Sequence, residues 1–156
     1  ITVGSDADFA ALASVLGVVW LVIGLGVNPM LNGSRTPEAI MREAEARVPA
    51  GGALALVAWR EQFILFARRP LSHFPYLMPA DEQAVAAARW QPAGGDRWVL
   101  GPEKVLEREF DLSRAADLGT RHRQKWFLVP PGSSRPSAGV AEGPVFTYAP
   151  GSHAEP

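Results

Sequence analysis

The strongest constraint on this chain is an uncharged apolar run of nineteen residues, "FAALASVLGVVWLVIGLGV", from Phe9 to Val27. A helix rises about 1.5 Å per residue, so the run covers roughly 28 Å, close to the hydrocarbon thickness of a bilayer. A secretory signal peptide would need a basic segment before the run, and none is present. A buried helix of a soluble core is the less favoured alternative. We therefore predict a transmembrane helix at residues 9–31, after a truncated loop at residues 1–8.

Composition excludes several classes of function. The net charge of -1 argues against nucleic acid as a partner, because nucleic-acid binding usually shows as a basic excess. The chain has no cysteine, which excludes disulfides, thiolate metal ligands and cysteine nucleophiles. His73, His122 and His153 are too scattered to indicate a metal site, and no phosphate-loop or dinucleotide-binding motif occurs, so the sequence predicts no metal ligands and no cofactor in this chain. Because the sequence opens on Ile1 rather than Met, we expect a piece of a longer protein.

Residues 34–131 alternate between helical patterns and short apolar runs, which is typical of a small α/β domain. Thr36 followed by Pro37 predicts a helix start, and "ALALVAW" up to Trp59 predicts a strand covered on both faces. We expect three to five short strands flanked by helices. Residues 132–156 are rich in Pro, Gly and Ser, which predicts a disordered tail.

Two polar segments are candidate sites. The first follows the predicted strand and comprises Trp59, Arg60, Glu61 and Gln62. It is either a plain strand-to-helix turn or a substrate or interdomain contact, because ligand crevices of α/β sheets lie at the carboxyl ends of strands.

The second candidate segment is basic and comprises Arg121, His122, Arg123 and Lys125. A solvated loop before the last strand is one interpretation. The other is a contact with phosphate or a lipid headgroup at a membrane surface, where each basic residue contributes about 1 kcal/mol against anionic lipid.

The apolar run ending in "GVNPMLNGSRTPEAIMREA", followed by "LALVAWREQFILFARRP", "DEQAVAAARWQ", "RWVL" and "WFLVPPG", resembles a known family. Over roughly residues 10–132 the chain is similar to the C-terminal end of bacterial polytopic glycosyltransferases of the family-39 type, related to the aminoarabinose transferase and the protein mannosyltransferases. The resemblance implies an inner-membrane enzyme with a polyprenyl-phosphate-linked sugar donor and a lipid A or protein acceptor.

The resemblance also implies further transmembrane helices upstream and a soluble domain on the periplasmic face. The family's catalytic carboxylates lie in the first extracytoplasmic loop, and no position here matches that motif. The fragment is then non-catalytic, and whether the full enzyme needs a divalent metal stays open. Arg35, Arg42 and Arg47 after the apolar run would by themselves favour a cytoplasmic domain, but that rule is weak for large trailing domains.

Two other functions remain open. The chain is alternatively a single-pass anchored, non-enzymatic binding or interaction module of the cell envelope, or a cytoplasmic regulatory domain on a transporter. Further hydrophobic spans upstream would favour the glycosyltransferase.

Overall fold

The computed structural model describes residues 6–27, 37–59, 61–121, 123–135 and 143–151. The chain divides into two compact units, Ile1–Thr36 and Pro37–Pro156. The predicted helix cap Thr36 and the candidate residues Arg60 and His122 lie outside the described residues.

The described part of the first unit, residues 6–27, is helical. Helix α1 runs over Asp6–Leu21 and continues as a π-helical segment over Val22–Val27. Within it, the nineteen residues Asp8–Gly26 are long and apolar enough to cross a membrane, and every one of them is exposed. The predicted helix is therefore present over residues 9–27, while residues 28–31 of the prediction lie outside the described residues. Its passage through a bilayer stays a prediction.

The second unit contains one mixed sheet of six strands in the order β4-β5-β3-β1-β2-β6. Strand β1 pairs in parallel with both β2 and β3, while β5, β4 and β6 are joined by antiparallel pairs. The strands are β1 Ala53–Leu56, β2 Leu71–His73, β3 Arg97–Pro102, β4 Ala116–Arg121, β5 Gln124–Val129 and β6 Phe146–Tyr148.

Helices cover both faces of this sheet, as the apolar run of β1 predicts. The helices are α2 Glu38–Arg47, α3 Glu61–Leu65, α4 Ala80–Trp90 and α5 Glu103–Leu106. Leu54 and Leu56 of β1 belong to the hydrophobic cluster that includes residues of α2 and α3. Ala55 belongs to the opposite cluster, which includes the alanine-rich face of α4. Side chains alternate between the faces of a strand, so a strand buried on both faces reads as a continuous apolar run.

A single arginine fixes the connection between α2 and β1. The guanidinium of Arg69 donates hydrogen bonds to the carbonyl oxygens of Val48, Pro49 and Gly52 at 2.8 Å and of Ala50 at 3.2 Å. These carbonyls follow the last turn of α2, where backbone acceptors lack helical partners. Arg69 therefore has a structural task in this domain.

The predicted number of strands was wrong, because the sheet has six strands rather than three to five. The additional edge strand β6 lies in the segment predicted to be disordered, where Phe146 pairs with His73 and Tyr148 with Leu71. A three-residue strand gives almost no local signal, and its stability comes from the exposed edge of β2. Residues 136–142 and 152–156 of that predicted tail lie outside the described residues.

The beginning of the predicted tail is also held in place. Arg135 forms a 2.6 Å ion pair with Asp111, and its backbone N–H donates to the Glu109 carbonyl at 2.6 Å. Hydrogen bonds from Ser113, together with the Arg135 charge, hold the pKa of Asp111 below its usual value. Serine and proline content predicted disorder here, but these long-range contacts order the segment.

Candidate functional site

Both candidate segments lie at the carboxyl edge of the parallel strands. The pairs Leu56↔His73 and Leu56↔Leu100 place the ends of β1, β2 and β3 at this edge. Because β5 runs antiparallel to β3, its first residues lie beyond Pro102, at the same edge. Strand β6 begins here too, opposite His73. We call this border of the sheet the carboxyl edge.

The chain leaves β1 through a strained residue. Ala58 has a φ of 53°, in the left-handed region that is unfavourable for a residue with a Cβ atom. Its backbone N–H donates to Oε1 of the buried Gln83 at 2.9 Å, and Nε2 of Gln83 donates to the Met78 carbonyl at 2.8 Å. Gln83 therefore ties the end of β1 to the loop between β2 and α4. Strained backbone conformations are common at ligand sites, where contacts with the surrounding structure keep the residue in that conformation.

This backbone turn presents an aromatic cluster, which we define as Trp59, His73, Tyr76 and Phe146. The Trp59 ring lies 4.8 Å from the His73 ring and 5.4 Å from the Tyr76 ring, edge-on to both. The His73 and Phe146 rings stack at 5.6 Å. The indole N–H of Trp59 donates to the Phe74 carbonyl at 3.1 Å, which fixes the ring.

The aromatic cluster lies at the border of the core and is partly open to solvent. Tyr76 is 58% exposed and Phe146 is 46% exposed, while Trp59 and His73 are half-buried. The neighbouring Leu77 is 92% exposed. Aromatic side chains that combine a broad apolar face with a polar group are typical of binding surfaces.

Sequence reasoning found only one member of this cluster. Trp59 was predicted because it follows an apolar run. His73 and Tyr76 follow β2 in "SHFPY", and the signal that was available is that two parallel strands end at one edge. Phe146 gave no such signal, because its strand lies in a segment rich in Pro and Gly.

Glu61 and Gln62 lie in the first turn of α3, and both are exposed. The segment from Trp59 therefore includes a strand-to-helix turn, and a contact role for its side chains stays a prediction. The next residue, Phe63, is buried, and its ring lies 4.4 Å from the ring of Trp126 in β5. Through this contact the structure brings the two candidate segments to the same face of the sheet.

The described residues of the basic segment lie at the turn between β4 and β5 and in the strand ends beside it. Arg121 is the last residue of β4 and pairs with Gln124, and Arg123 lies in the short connection to β5. Arg123 has a φ of 63°, in the left-handed region that tight hairpins use. Lys125 lies within β5. Strand β4, which precedes this turn, carries Gly119 and a register irregularity, and both weaken its strand pattern.

The described residues of the second unit line several surface grooves, which include the following two. A groove of about 210 Å³ lies beside the hairpin and is lined by Pro102, Glu103, Lys104, Arg123, Gln124 and Lys125. A wider groove of about 610 Å³ is lined by residues at the end of α4, by Arg97 of β3 and by residues 143–145, just before β6. There the Arg97 guanidinium lies 4.7 Å from the Trp90 ring centroid, so an intramolecular contact occupies part of its wall.

Within the described ranges, no three His, Cys, Asp or Glu side chains lie close enough together to hold a metal ion. Comparison of the chain with protein-family models, curated proteins and solved structures finds no match. The fold and the geometry of the carboxyl edge are therefore the basis for assigning a function.

Proposed function

We propose that this chain forms the C-terminal part of a bacterial inner-membrane glycosyltransferase that transfers a sugar from a polyprenyl-phosphate donor to a cell-envelope acceptor. In this proposal α1 is a transmembrane helix and the α/β domain lies on the periplasmic side. The domain performs no chemistry itself. It contacts a saccharide portion of the donor or acceptor through the aromatic cluster.

The observation that carries the proposal is the exposed aromatic cluster at the carboxyl edge. A sugar ring has faces of C–H groups and a rim of hydroxyl groups. The C–H faces pack against flat aromatic rings, and the hydroxyl rim needs polar neighbours. Trp59 and Tyr76 supply ring surface, and the imidazole of His73 supplies a hydrogen-bonding group beside them. The sites of α/β sheets generally lie at this edge.

The cluster is also held in advance of binding. The hydrogen bond from the Trp59 indole to the Phe74 carbonyl fixes the Trp59 ring. The hydrogen bond from the Ala58 N–H to Gln83 fixes the backbone just before Trp59. A fixed binding surface loses less conformational entropy when a ligand arrives. Glu61 and Gln62 lie close in sequence to Trp59 and are exposed, which suits them to contact hydroxyl groups at the rim.

Two further features support the glycosyltransferase assignment. The resemblance over residues 10–132 implies a donor of this class, and Asp8–Gly26 has the length and composition of a membrane span. The proposed partners are therefore the lipid bilayer, upstream transmembrane helices, the polyprenyl-phosphate sugar, and a lipid or protein acceptor.

The proposal is tested by titration of the chain with methyl glycosides of glucose, mannose and glucosamine. Polyoxyethylene detergent micelles keep α1 in solution without introducing sugar or phosphate. We expect saturable shifts of the Trp59 indole and Tyr76 ring resonances in nuclear magnetic resonance spectra, with Trp98 unchanged. Trp98 is a matched control because it lies near the amino end of β3, away from the carboxyl edge. Its indole N–H donates a hydrogen bond to Asp96 at 2.7 Å.

A second assay separates the enzyme from the alternative function. Membranes containing the full-length protein are supplied with labelled polyprenyl-phosphate sugar, and transfer to lipid and protein is measured. Transfer supports the glycosyltransferase. Saccharide binding without transfer by the full-length protein would instead favour the anchored binding module.

A further inference from the structure

Two buried N–H donors near the β4–β5 hairpin have no acceptor among the described residues. They are Nε1 of Trp126 and Nε of Arg121. Trp126 is only 3% exposed. The Arg121 guanidinium does donate through Nη1 to the Thr120 carbonyl at 2.8 Å, and it forms no ion pair within the described part of the chain. Buried donors without acceptors are rare in folded proteins, so each such group calls for an explanation.

The two donors lie on the same face of the sheet. Arg121 pairs with Gln124, and residues opposite each other in an antiparallel pair point to one face. Trp126 lies two residues beyond Gln124 and therefore shares that face. Such diagonal neighbours are separated by about 7–8 Å, within the reach of an arginine and a tryptophan side chain.

The chemistry of the missing acceptor follows from these groups. Indole and guanidinium groups donate hydrogen bonds and accept none, so their partner is an acceptor. The guanidinium is always charged, and within a half-buried site it favours an anion with more than one oxygen. Phosphate meets both conditions.

We propose that Arg121 and Trp126 form a binding site for a phosphate group. This site differs from the predicted basic loop, since it includes a buried strand residue and does not depend on Arg123 or Lys125. Access requires the half-buried side chain of Arg121, the last residue of β4, to move.

The site also bears on the class of substrate. Trp59 packs against the same hydrophobic cluster that contains Trp126, so both sites lie on one face at the carboxyl edge. Strands β1 and β5 are two positions apart in the sheet, which corresponds to about 10 Å. A saccharide that carries a phosphate fits this spacing. This link rests on the proposed function, whereas the phosphate site itself does not.

The test uses inorganic phosphate and the ¹⁵N-labelled chain in polyoxyethylene micelles, with sodium chloride at equal ionic strength as the reference. We expect one of the five tryptophan indole signals to shift and saturate with phosphate alone. Its loss in Trp126→Phe assigns it to Trp126. Arg121→Lys should weaken binding about tenfold, because it removes the Nε–H and the forked geometry. Arg114→Lys is the control, because Arg114 is exposed and lies outside the candidate segments, and it should leave binding unchanged.

Line broadening of the phosphate ³¹P signal gives an independent readout that does not need the Trp126 resonance. It should decrease in both Arg121→Lys and Trp126→Phe. The site would be overturned if phosphate had no specific effect on the unaltered chain. It would also be overturned if both variants bound phosphate as tightly as the unaltered chain does. The phosphate experiments test the site at Arg121 and Trp126, and the titration with phosphate-free methyl glycosides tests the proposed function. Either proposal can therefore fail without the other.

Competition then identifies the source of the phosphate. Displacement of inorganic phosphate by glucose 1-phosphate supports a phosphosugar ligand. Displacement by phosphatidylglycerol bicelles supports a lipid headgroup. If neither competes, the site does not accept phosphate esters and the proposal is wrong.

Discussion

The ring of Phe63 in α3 lies 4.4 Å from the ring of Trp126 in β5, and both residues are buried. Phe63 directly follows the candidate residue Gln62, and Trp126 directly follows Lys125. A single aromatic contact in the core therefore relates the two segments that sequence analysis had treated separately. It also holds the short helix α3 against the sheet.

We predict that Phe63→Ala lowers the free energy of unfolding by about 3–5 kcal/mol, because it removes a buried aromatic ring and leaves a cavity. Chemical denaturation followed by circular dichroism measures the change. Leu65→Ala in the same helix is the control. Leu65 is 77% exposed, so its loss should change stability by no more than about 0.5 kcal/mol. Equal effects of the two variants would contradict the packing of α3 described above.

Ala58 provides a test of backbone strain. We predict that Ala58→Gly stabilises the domain by about 0.5–1 kcal/mol. Glycine removes a left-handed penalty of about 1–2 kcal/mol, and its greater freedom in the unfolded chain offsets part of that gain, about 0.4–1 kcal/mol. Thermal unfolding measures the difference. A destabilised variant would show that the φ of 53° at Ala58 is not the source of strain.

Arg69 should be irreplaceable by lysine. Arg69→Lys is expected to lower the free energy of unfolding by about 2 kcal/mol, since an ammonium group cannot reach carbonyls on Val48, Pro49 and Gly52 together. The adjacent and exposed Arg68 is the matched control, because its recorded hydrogen bond to Glu45 comes from the backbone N–H. Arg68→Lys should therefore be neutral. If Arg69→Lys did not change stability, the hydrogen bonds of Arg69 would not be what stabilises the connection between α2 and β1.

Glu61 separates a contact role from a structural one. In the proposed full-length glycosyltransferase we expect Glu61→Ala to lower sugar transfer more than it lowers the melting temperature, because the side chain is exposed at the carboxyl edge. Transfer assays and thermal unfolding are measured on the same preparations. Loss of activity in step with loss of melting temperature would make Glu61 a structural residue of the α3 turn.

Much of the fold could be predicted because local patterns and tertiary packing agree. The apolar run of β1 and the alanine-rich helix α4 are buried as their sequences indicate. Strand β6 could not be predicted, since its three residues gain stability only from pairing with β2. The hairpin of β4 and β5 was obscured by Gly119, which interrupts the strand pattern of β4.

The sequence predicted candidate residues only where an apolar strand pattern was followed by polar residues. Trp59 and Glu61 follow β1 directly, and the structure places them at the carboxyl edge. The proximity of His73 and Phe146 depends on strand order, which neither segment encodes locally. The orphan donor on Trp126 was equally hidden, because a tryptophan in a strand ordinarily predicts core packing.

The central claim is that the aromatic cluster contacts the saccharide of a glycosyltransferase substrate. The most direct measurement compares kcat/KM for transfer from polyprenyl-phosphate sugar in the full-length enzyme carrying Tyr76→Ala, Trp59→Leu or Trp98→Leu. Tyr76 is largely exposed, so its variant keeps the fold. We predict a decrease of about tenfold or more for Tyr76→Ala and Trp59→Leu, consistent with the loss of one anchoring aromatic contact, and little change for Trp98→Leu. Unchanged transfer in Tyr76→Ala and Trp59→Leu, with the fold intact, would contradict the account.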